Sequence, residues 1–358
     1  MLSELTSSAR RLSFVGLAKN TGKTETLAAI LRELEAAGRT IGVTSVGRDG
    51  EEHDVIDARI DKPRVQLACG SLVASTDELL RASGLRHELL EQTDVRTPLG
   101  RVLIARLSEP GAVEVAGPSA AAQVRAASDA MIAFGAEQVL IDGAIDRRAA
   151  SSPSVADGLV MATGAVLSED IEEVVARTRD AVELVRLPEL IEHTPAAQRA
   201  RMLAGEVDSD GRSSGALVAD EGEPLMLAAR FALQADGPQI SEALDAAPTA
   251  PLLLLAGAVP ERFLQELVGA LRRRRRALTV LVSDPTRVFL STHGVSWYRR
   301  QGLDLRALRT TELLALTVNP LAPQSHDFDS VRLRALLGEA IAGVPIFDVL
   351  HPDYGARP

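Results

Sequence analysis

Lysine is nearly absent from this chain. Of 39 basic residues only Lys19, Lys23 and Lys62 are lysine, and arginine carries the rest. An Ala- and Arg-rich composition fits GC-rich coding, so the scarcity by itself says little; the placement of two of the three lysines in one short segment says more. A single cysteine, Cys69, excludes an internal disulfide and any cluster of metal-bound thiolates. Aromatic residues make up 3% of the chain, so its cores must be built from Ala, Leu and Val. The six histidines, at 53, 87, 193, 293, 326 and 351, show no metal-ligand spacing. The guanine-reading Asn-Lys-x-Asp motif and the cobalt-ligating Asp-x-His-x-x-Gly motif are both missing. The N-terminus has no apolar stretch of the secretory kind, and the longest uncharged apolar run, around Leu252–Val259, is too short to span a bilayer. A cytoplasmic protein without a membrane partner is expected. The net charge of −10 argues against a general nucleic-acid-binding surface, so no nucleic-acid partner is expected either.

The segment Gly16-Leu-Ala-Lys-Asn-Thr-Gly-Lys23-Thr24 follows the apolar stretch Leu12–Val15 and opens a helical pattern over Thr24–Ala37. Strand, glycine-bearing loop and helix in that order are what a phosphate-binding loop requires. Loop N–H groups and the helix N-terminus offer donors and partial positive charge to an anion. Gly16, Lys19, Asn20, Thr21, Gly22, Lys23, Thr24 and Thr26 are the candidate nucleotide-binding residues. Lys23 is assigned to the β/γ phosphates and, as electrophile, to catalysis. The Thr24 hydroxyl is assigned to Mg²⁺. A compact ammonium fits among crowded phosphates where a planar guanidinium does not. The expected cofactors are therefore ATP and Mg²⁺. Five residues, Leu17 to Thr21, separate the two glycines, one more than in the commonest form of this loop.

Val139-Leu-Ile-Asp142-Gly143-Ala144 is the second chemical element. An acid closing an apolar strand can hold Mg²⁺ opposite Thr24, directly or through water. Asp142 is thus a candidate metal ligand and catalytic residue. Arg147 and Arg148 follow it, either near phosphate or in a solvated loop. Thr44-Ser-Val-Gly47-Arg48-Asp49-Gly50 ends the chain's second strand, and ligands collect at strand C-terminal ends in open parallel sheets. Asp49 would orient the attacking water or contact groups that hold the metal, and Arg48 would bind phosphate or substrate; a surface turn is the competing reading. Lys62-Pro63-Arg64 is a weaker basic pair. Arg272–Arg276 ends a helix, where cations favour the macrodipole, and a phosphate or partner patch is the alternative. Asn319 ends a late strand, either reading a nucleobase or making a turn.

Alternating strand and helix signals predict an α/β protein with a mostly parallel, doubly wound sheet. Strands are expected at Leu12–Val15, Thr40–Val46, Gln138–Ile141 and Gly158–Thr163, and helices at Thr24–Ala37, Ser119–Phe134 and Asp170–Val182. Arg101–Leu107 and Ala112–Ala116 read as an antiparallel hairpin added to that sheet. The predicted divisions are a nucleotide-binding domain over 1–188, a Pro/Gly/Ser-rich linker or insertion over 189–214, and a second α/β domain over 215–358. Strands in this last part are expected at Ala216–Ala219, Leu252–Ala256, Leu278–Val282, Leu313–Val318 and Val344–Val349.

The Gly-x₅-Gly-Lys-Thr spacing resembles dethiobiotin synthetase and its relatives among dimerising P-loop proteins. Many of these carry a second loop lysine that completes a partner subunit's site; Lys19 stands one position closer to Lys23 than theirs does. The loop, Thr44-Ser-Val-Gly-Arg-Asp-Gly, Thr97-Pro-Leu-Gly, Ala116-Gly-Pro-Ser, Leu140-Ile-Asp-Gly-Ala-Ile, Ser151-Ser-Pro and Asp157-Gly-Leu-Val-Met-Ala-Thr-Gly-Ala165 together resemble the P-loop subunit of the reactivase for adenosylcobalamin-dependent lysine 5,6-aminomutase. That resemblance spans residues 12–188. It implies ATP hydrolysis that drives exchange of damaged cobalamin, with a second ATPase subunit and the aminomutase as partners, and a homodimer. The alternative is a dethiobiotin-synthetase-like ligase acting on a small carboxylate.

Overall fold

The computed structural model describes residues 1–46, 64–143, 148–205, 213–323 and 326–354. Arg48, Asp49, Lys62 and Arg147, and the side chain of Arg148, lie outside the described residues, so the expectations placed on them stay expectations. The chain divides into two compact units, Met1–Arg179 with Thr311–Pro358, and Asp180–Thr310.

The first unit is built on a nine-stranded sheet. Its order is Ile346–Phe347, Glu312–Asn319, Gly158–Gly164, Arg11–Gly16, Gln138–Asp142, Ile41–Ser45, Leu72–Thr76, Gly100–Leu107, His87–Thr97. The first seven strands run parallel, and the last two add on antiparallel. Side chains alternate across a strand, so one strand feeds two cores. Leu140 joins Leu12, Phe14 and Val43 against Leu27, Ile30, Leu31 and Leu34 of the helix Lys23–Ala36. Its neighbours Val139 and Ile141 pack with Leu72 and Ala74 against Val124, Ala127 and Met131 of the helix Ala121–Ala133. Helices thus cover both faces, as near-continuous apolar strands in a parallel sheet require. The doubly wound, mostly parallel α/β class read from the pattern is the class observed.

Two local expectations change. The antiparallel addition is the hairpin His87–Thr97 with Gly100–Leu107, whereas Gly111–Val113 pairs with Val65–Leu67 in a separate two-stranded ribbon. The edge strand, His-Glu-Leu-Leu-Glu-Gln-Thr-Asp-Val-Arg-Thr, lacks clean apolar alternation because it is half exposed along its length and carries two register shifts. Charges and bulges of this kind guard an open sheet edge, and they also hide the strand from pattern reading.

The other change concerns chain organisation. Glu312–Asn319 and Ile346–Phe347, placed by the sequence in a second domain over 215–358, belong to the first sheet, where Glu312–Asn319 pairs in parallel with Gly158–Gly164. The stretch 189–214 contains the capped helix Pro195–Leu203, whose Ala196, Ala197 and Ala200 pack against Ala216, Val218, Leu252 and Leu254. That helix is part of the second unit's core, where a linker or insertion was expected. An apolar strand shows its burial in its own residues, but the strand it will pair with is a long-range choice.

The second unit holds a five-stranded sheet in the order Leu225–Ala228, Ser213–Val218, Leu252–Leu255, Leu278–Val282, Leu303–Ala307, the last three parallel. The arginine run serves this unit's packing. Arg274 pairs with Asp245, Arg276 donates to the carbonyls of Ala247 and Ala250, and Arg272 reaches Gln301.

One carboxylate organises a loop here. Glu261 is 7% exposed. Its Oε2 accepts from the Ser291 amide at 2.8 Å, the Ser291 hydroxyl at 2.5 Å and the Thr292 amide at 2.8 Å. Its Oε1 accepts from the His293 amide at 2.9 Å and the Tyr298 hydroxyl at 3.0 Å. Burial pushes its pKa up, but donation from the Ser291 hydroxyl and from the Thr292, Ser291 and His293 amides outweighs burial and holds it at about 2. A depressed carboxylate contributes stability in full above its unfolded pKa and loses it as pH falls through the folded value. Set against the ordinary 4.5, the shift corresponds to about 3 kcal/mol, lost between pH 4.5 and about 2. Trp297, the chain's one tryptophan, stacks on His293 with centroids 3.9 Å apart and so reports on this loop. Glu261→Gln should lower the urea midpoint seen by Trp297 fluorescence at pH 7 and flatten its dependence on pH below 4.5. An unchanged midpoint would remove Glu261 from the stability of this unit.

Candidate phosphate-binding site

The strand Arg11–Gly16 lies inside the sheet between Gly158–Gly164 and Gln138–Asp142, and its C-terminal end delivers the loop. The Leu17 amide donates to the Ala162 carbonyl at 2.9 Å, tying the loop's first residue to the neighbouring strand. A Cβ at Gly16 would come 2.5 Å from Thr21 Oγ1, so the loop folds back onto its own start. Thr21 is buried and donates to the Ala18 carbonyl at 3.0 Å. Asn20 (φ 64°) and Gly22 (φ 84°) are left-handed. Asparagine and glycine tolerate that region best, which accounts for both residues in a turn this tight. Gly22 is the N-cap of the helix Lys23–Ala36 and supplies no side-chain acceptor. The first-turn N–H groups of a 14-residue helix therefore have no side-chain cap, the arrangement that favours an anion.

Lys23 turns toward the adjacent strand. Its Nζ pairs with Asp142 Oδ1 and donates to the Gly143 carbonyl at 2.7 Å. Sheet register makes this possible, because Asp142 stands beside Phe14 on one side and Ser45 on the other. The Gly143 amide donates to the Phe14 carbonyl at 2.9 Å, and a Cβ at Gly143 would lie 2.6 Å from Ala150 Cβ. The chain after Asp142 is thus held against the first strand. Thr24, Lys19 and Asn20 are exposed. Thr26 is buried, and its hydroxyl is occupied by the Gly22 carbonyl at 3.0 Å and Thr317 Oγ1 at 2.7 Å.

A second loop crosses the same sheet edge. Ser45 Oγ accepts from the Gly117 amide at 2.9 Å and donates to the Val115 carbonyl at 3.2 Å; Ser75 Oγ likewise bridges the Ala116 amide and the Glu114 carbonyl, each at 3.0 Å. A Cβ at Gly117 would lie 2.1 Å from the Ser45 carbonyl oxygen. These contacts account for the glycine in Ala116-Gly-Pro-Ser.

The structure brings the loop residues Gly16 to Thr24 together with Asp142, directs Thr26 into helix–sheet packing, and leaves Arg48 and Asp49 outside the described residues. Sequence reading did not single out Thr317 or the Gly143 carbonyl, and it treated Asn319 as a base reader or a turn. Asn319 Nδ2 in fact donates to the Asn20 carbonyl at 2.9 Å, and its Oδ1 accepts from the Leu321 amide at 3.1 Å. Among the described residues no group of three or more His, Cys, Asp or Glu side chains forms a metal cage. No helix there is long and apolar enough to cross a membrane.

No family model matches the chain, and no curated protein matches it. A solved structure to which it is similar is that of pNOB8 ParA bound to nonspecific DNA, at 14% identity and a TM-score of 0.26, covering 56% of this chain and 76% of that one. A likeness that slight carries no argument about activity. The expectation of no nucleic-acid partner is withdrawn: the protein in that solved structure is bound to DNA, which is a property of that protein. The exclusion rested on a net charge of −10, a sum over all 358 residues, which says nothing about the potential over any one face.

Proposed function

We propose that this protein binds Mg²⁺–ATP at the Gly16–Thr24 loop and hydrolyses it. The observation that carries the reading is Lys23, held by Asp142 and the Gly143 carbonyl at the first turn of a helix without a side-chain cap. The residues fit the cofactors. Gly16 and Gly22 let the loop turn tightly: an added Cβ at Gly16 would meet Thr21 Oγ1 at 2.5 Å, and Gly22 sits at positive φ beside Asn319. A carboxylate and a hydroxyl are the hard oxygen donors Mg²⁺ prefers, and Mg²⁺ is commonly held by one or two protein oxygens plus substrate phosphates rather than by a full protein cage.

Gly16, Lys19, Asn20, Thr21, Gly22, Lys23 and Thr24 would bind the triphosphate, with Arg48 reaching it from the next loop. Thr24 and Asp142 would hold Mg²⁺, which when bound neutralises charge on the phosphate oxygens. Lys23 would exchange Asp142 for phosphate oxygens and stabilise negative charge as the γ-phosphoryl group transfers to water. Asp49 would orient that water. Thr26 would act through packing, by fixing the first helical turn.

The finer reading is a reactivase role, in which hydrolysis drives exchange of damaged cobalamin in lysine 5,6-aminomutase. Its support is the set of sequence segments between residues 12 and 188 that resemble such a protein. The test is product analysis. Mg²⁺-dependent release of phosphate from ATP, without added carboxylate, is the expected result. A hydroxylamine-trappable acyl phosphate that forms only with a small carboxylate would replace hydrolysis by ligase chemistry. No Mg²⁺-dependent turnover and no nucleotide binding would sink the proposal altogether.

A further inference from the structure

Asn319 belongs to the strand Glu312–Asn319, which the chain forms only after leaving the first sheet and returning to it. Residues 317 and 319 fall on one face of that strand, because side chains alternate. Both grip the phosphate-loop segment. Thr317 Oγ1 bonds Thr26 Oγ1 at 2.7 Å, and Asn319 Nδ2 donates to the Asn20 carbonyl at 2.9 Å, across 299 residues of sequence. Asn20 is the non-glycine residue of the loop held at positive φ, a conformation that needs support. Asn319 also fills the space beside Gly22, where an added Cβ would lie 3.1 Å from Asn319 Cβ. Its remaining acceptor is used by the Leu321 amide at 3.1 Å, which orients the carboxamide so that its N–H faces Asn20. Both ends of the amide are therefore engaged within the protein.

We infer that Asn319 is a positioning residue for the phosphate loop: its side-chain N–H fixes the left-handed turn at Asn20, and the loop's grip on a triphosphate depends on it. The inference rests on the reading of this loop as a triphosphate site. It differs from base recognition in one measurable way. A residue that shapes the loop affects every triphosphate, whereas a residue that reads the base affects only nucleotides.

The experiment compares wild type, Asn319→Ala and Asn319→Asp in the full chain. The aspartate keeps the shape and the acceptor for Leu321 but loses the donor to Asn20 and sets negative charge against its carbonyl. Binding of ATP and of inorganic tripolyphosphate is measured by displacement of a fluorescent ATP analogue. Amide hydrogen exchange of residues 17–24 is followed without nucleotide, and thermal melting checks folding. Both variants are expected to weaken ATP and tripolyphosphate by the same factor, about tenfold, as befits loss of one hydrogen bond. The KM for ATP should rise more than kcat falls, and the loop amides should exchange faster with the melting temperature little changed. Weakening confined to ATP would make Asn319 a base reader and overturn the inference, as would unchanged exchange of the loop amides in both variants. If wild type bound neither ATP nor tripolyphosphate, the proposed function would fail, while the exchange data would still decide whether Asn319 holds the loop.

Discussion

Lys23→Ala is expected to lower kcat for ATP hydrolysis by at least about a hundredfold, the scale seen when one preorganised donor to a developing negative charge is removed. The Lys23 ammonium is part-buried and meets a carboxylate and a carbonyl at the end of the neighbouring strand. Before nucleotide arrives it neutralises Asp142; with nucleotide bound it would neutralise the transferring phosphoryl group. Alanine supplies neither charge, so the loss should fall on kcat as well as on KM. Folding should survive, because Lys23 lies at the first turn of the helix while the buried face of that helix is carried by Leu27, Ile30, Leu31 and Leu34. Lys23→Arg should be nearly as damaging: a planar guanidinium cannot take the place of a compact ammonium in a loop so tight that a Cβ added at Gly16 would lie 2.5 Å from Thr21 Oγ1. A malachite-green phosphate assay with circular dichroism as folding control decides it. Undiminished turnover in a folded Lys23→Ala protein would place hydrolysis elsewhere.

Asp142→Asn is expected to separate metal dependence from nucleotide binding. Among the described residues Asp142 is the carboxylate that meets Lys23, standing in register with Phe14 and Ser45. Removing its charge should lower Mg²⁺-dependent turnover about a hundredfold, in line with loss of a charged group acting on phosphoryl transfer. Affinity for ATP in the presence of EDTA should move the other way. Without Mg²⁺, Asp142 would repel a bound triphosphate and compete with it for Lys23; asparagine would do neither, so metal-free binding should tighten several-fold. Titration of a fluorescent ATP analogue with and without Mg²⁺ reads both effects. If Mg²⁺ strengthens binding equally in wild type and Asp142→Asn, the carboxylate has no part in holding the metal.

Much of the site was legible because it is local. Gly16, Gly22, Lys23 and Thr24 lie within nine residues, and each was singled out for a reason visible in one turn of chain: close approach and positive φ, which the structure has at Gly16 and Gly22, and the compact cation and hydroxyl on which the proposed function rests. Asp142 was legible because an acid at the end of an apolar strand is conspicuous. Other features had no local signature. The strand His87–Thr97 is half exposed, so its pattern does not alternate, and the adjoining strand was assigned to the wrong partner. Arg272–Arg276 looked the same in sequence whether bound to a ligand or, as found, to Asp245, Gln301 and backbone carbonyls. Thr26 was counted among the nucleotide-binding candidates, but its hydroxyl is taken up by Gly22 and Thr317.

The sequence by itself determined where a phosphate-binding loop is proposed and the class of the sheet that carries it. Loop geometry and strand burial are written in runs of a few residues, through glycine positions, one lysine and apolar periodicity. Tertiary structure alone decided which strands share a sheet and which distant side chains support the loop. Leu313–Val318 read as one more apolar strand of the second domain, but pairing with Gly158–Gly164 puts Thr317 and Asn319 against Thr26 and Asn20. A strand's burial is a property of its own residues. Its partner is settled by which pairing buries the most apolar surface while satisfying the backbone, and that depends on the whole chain at once.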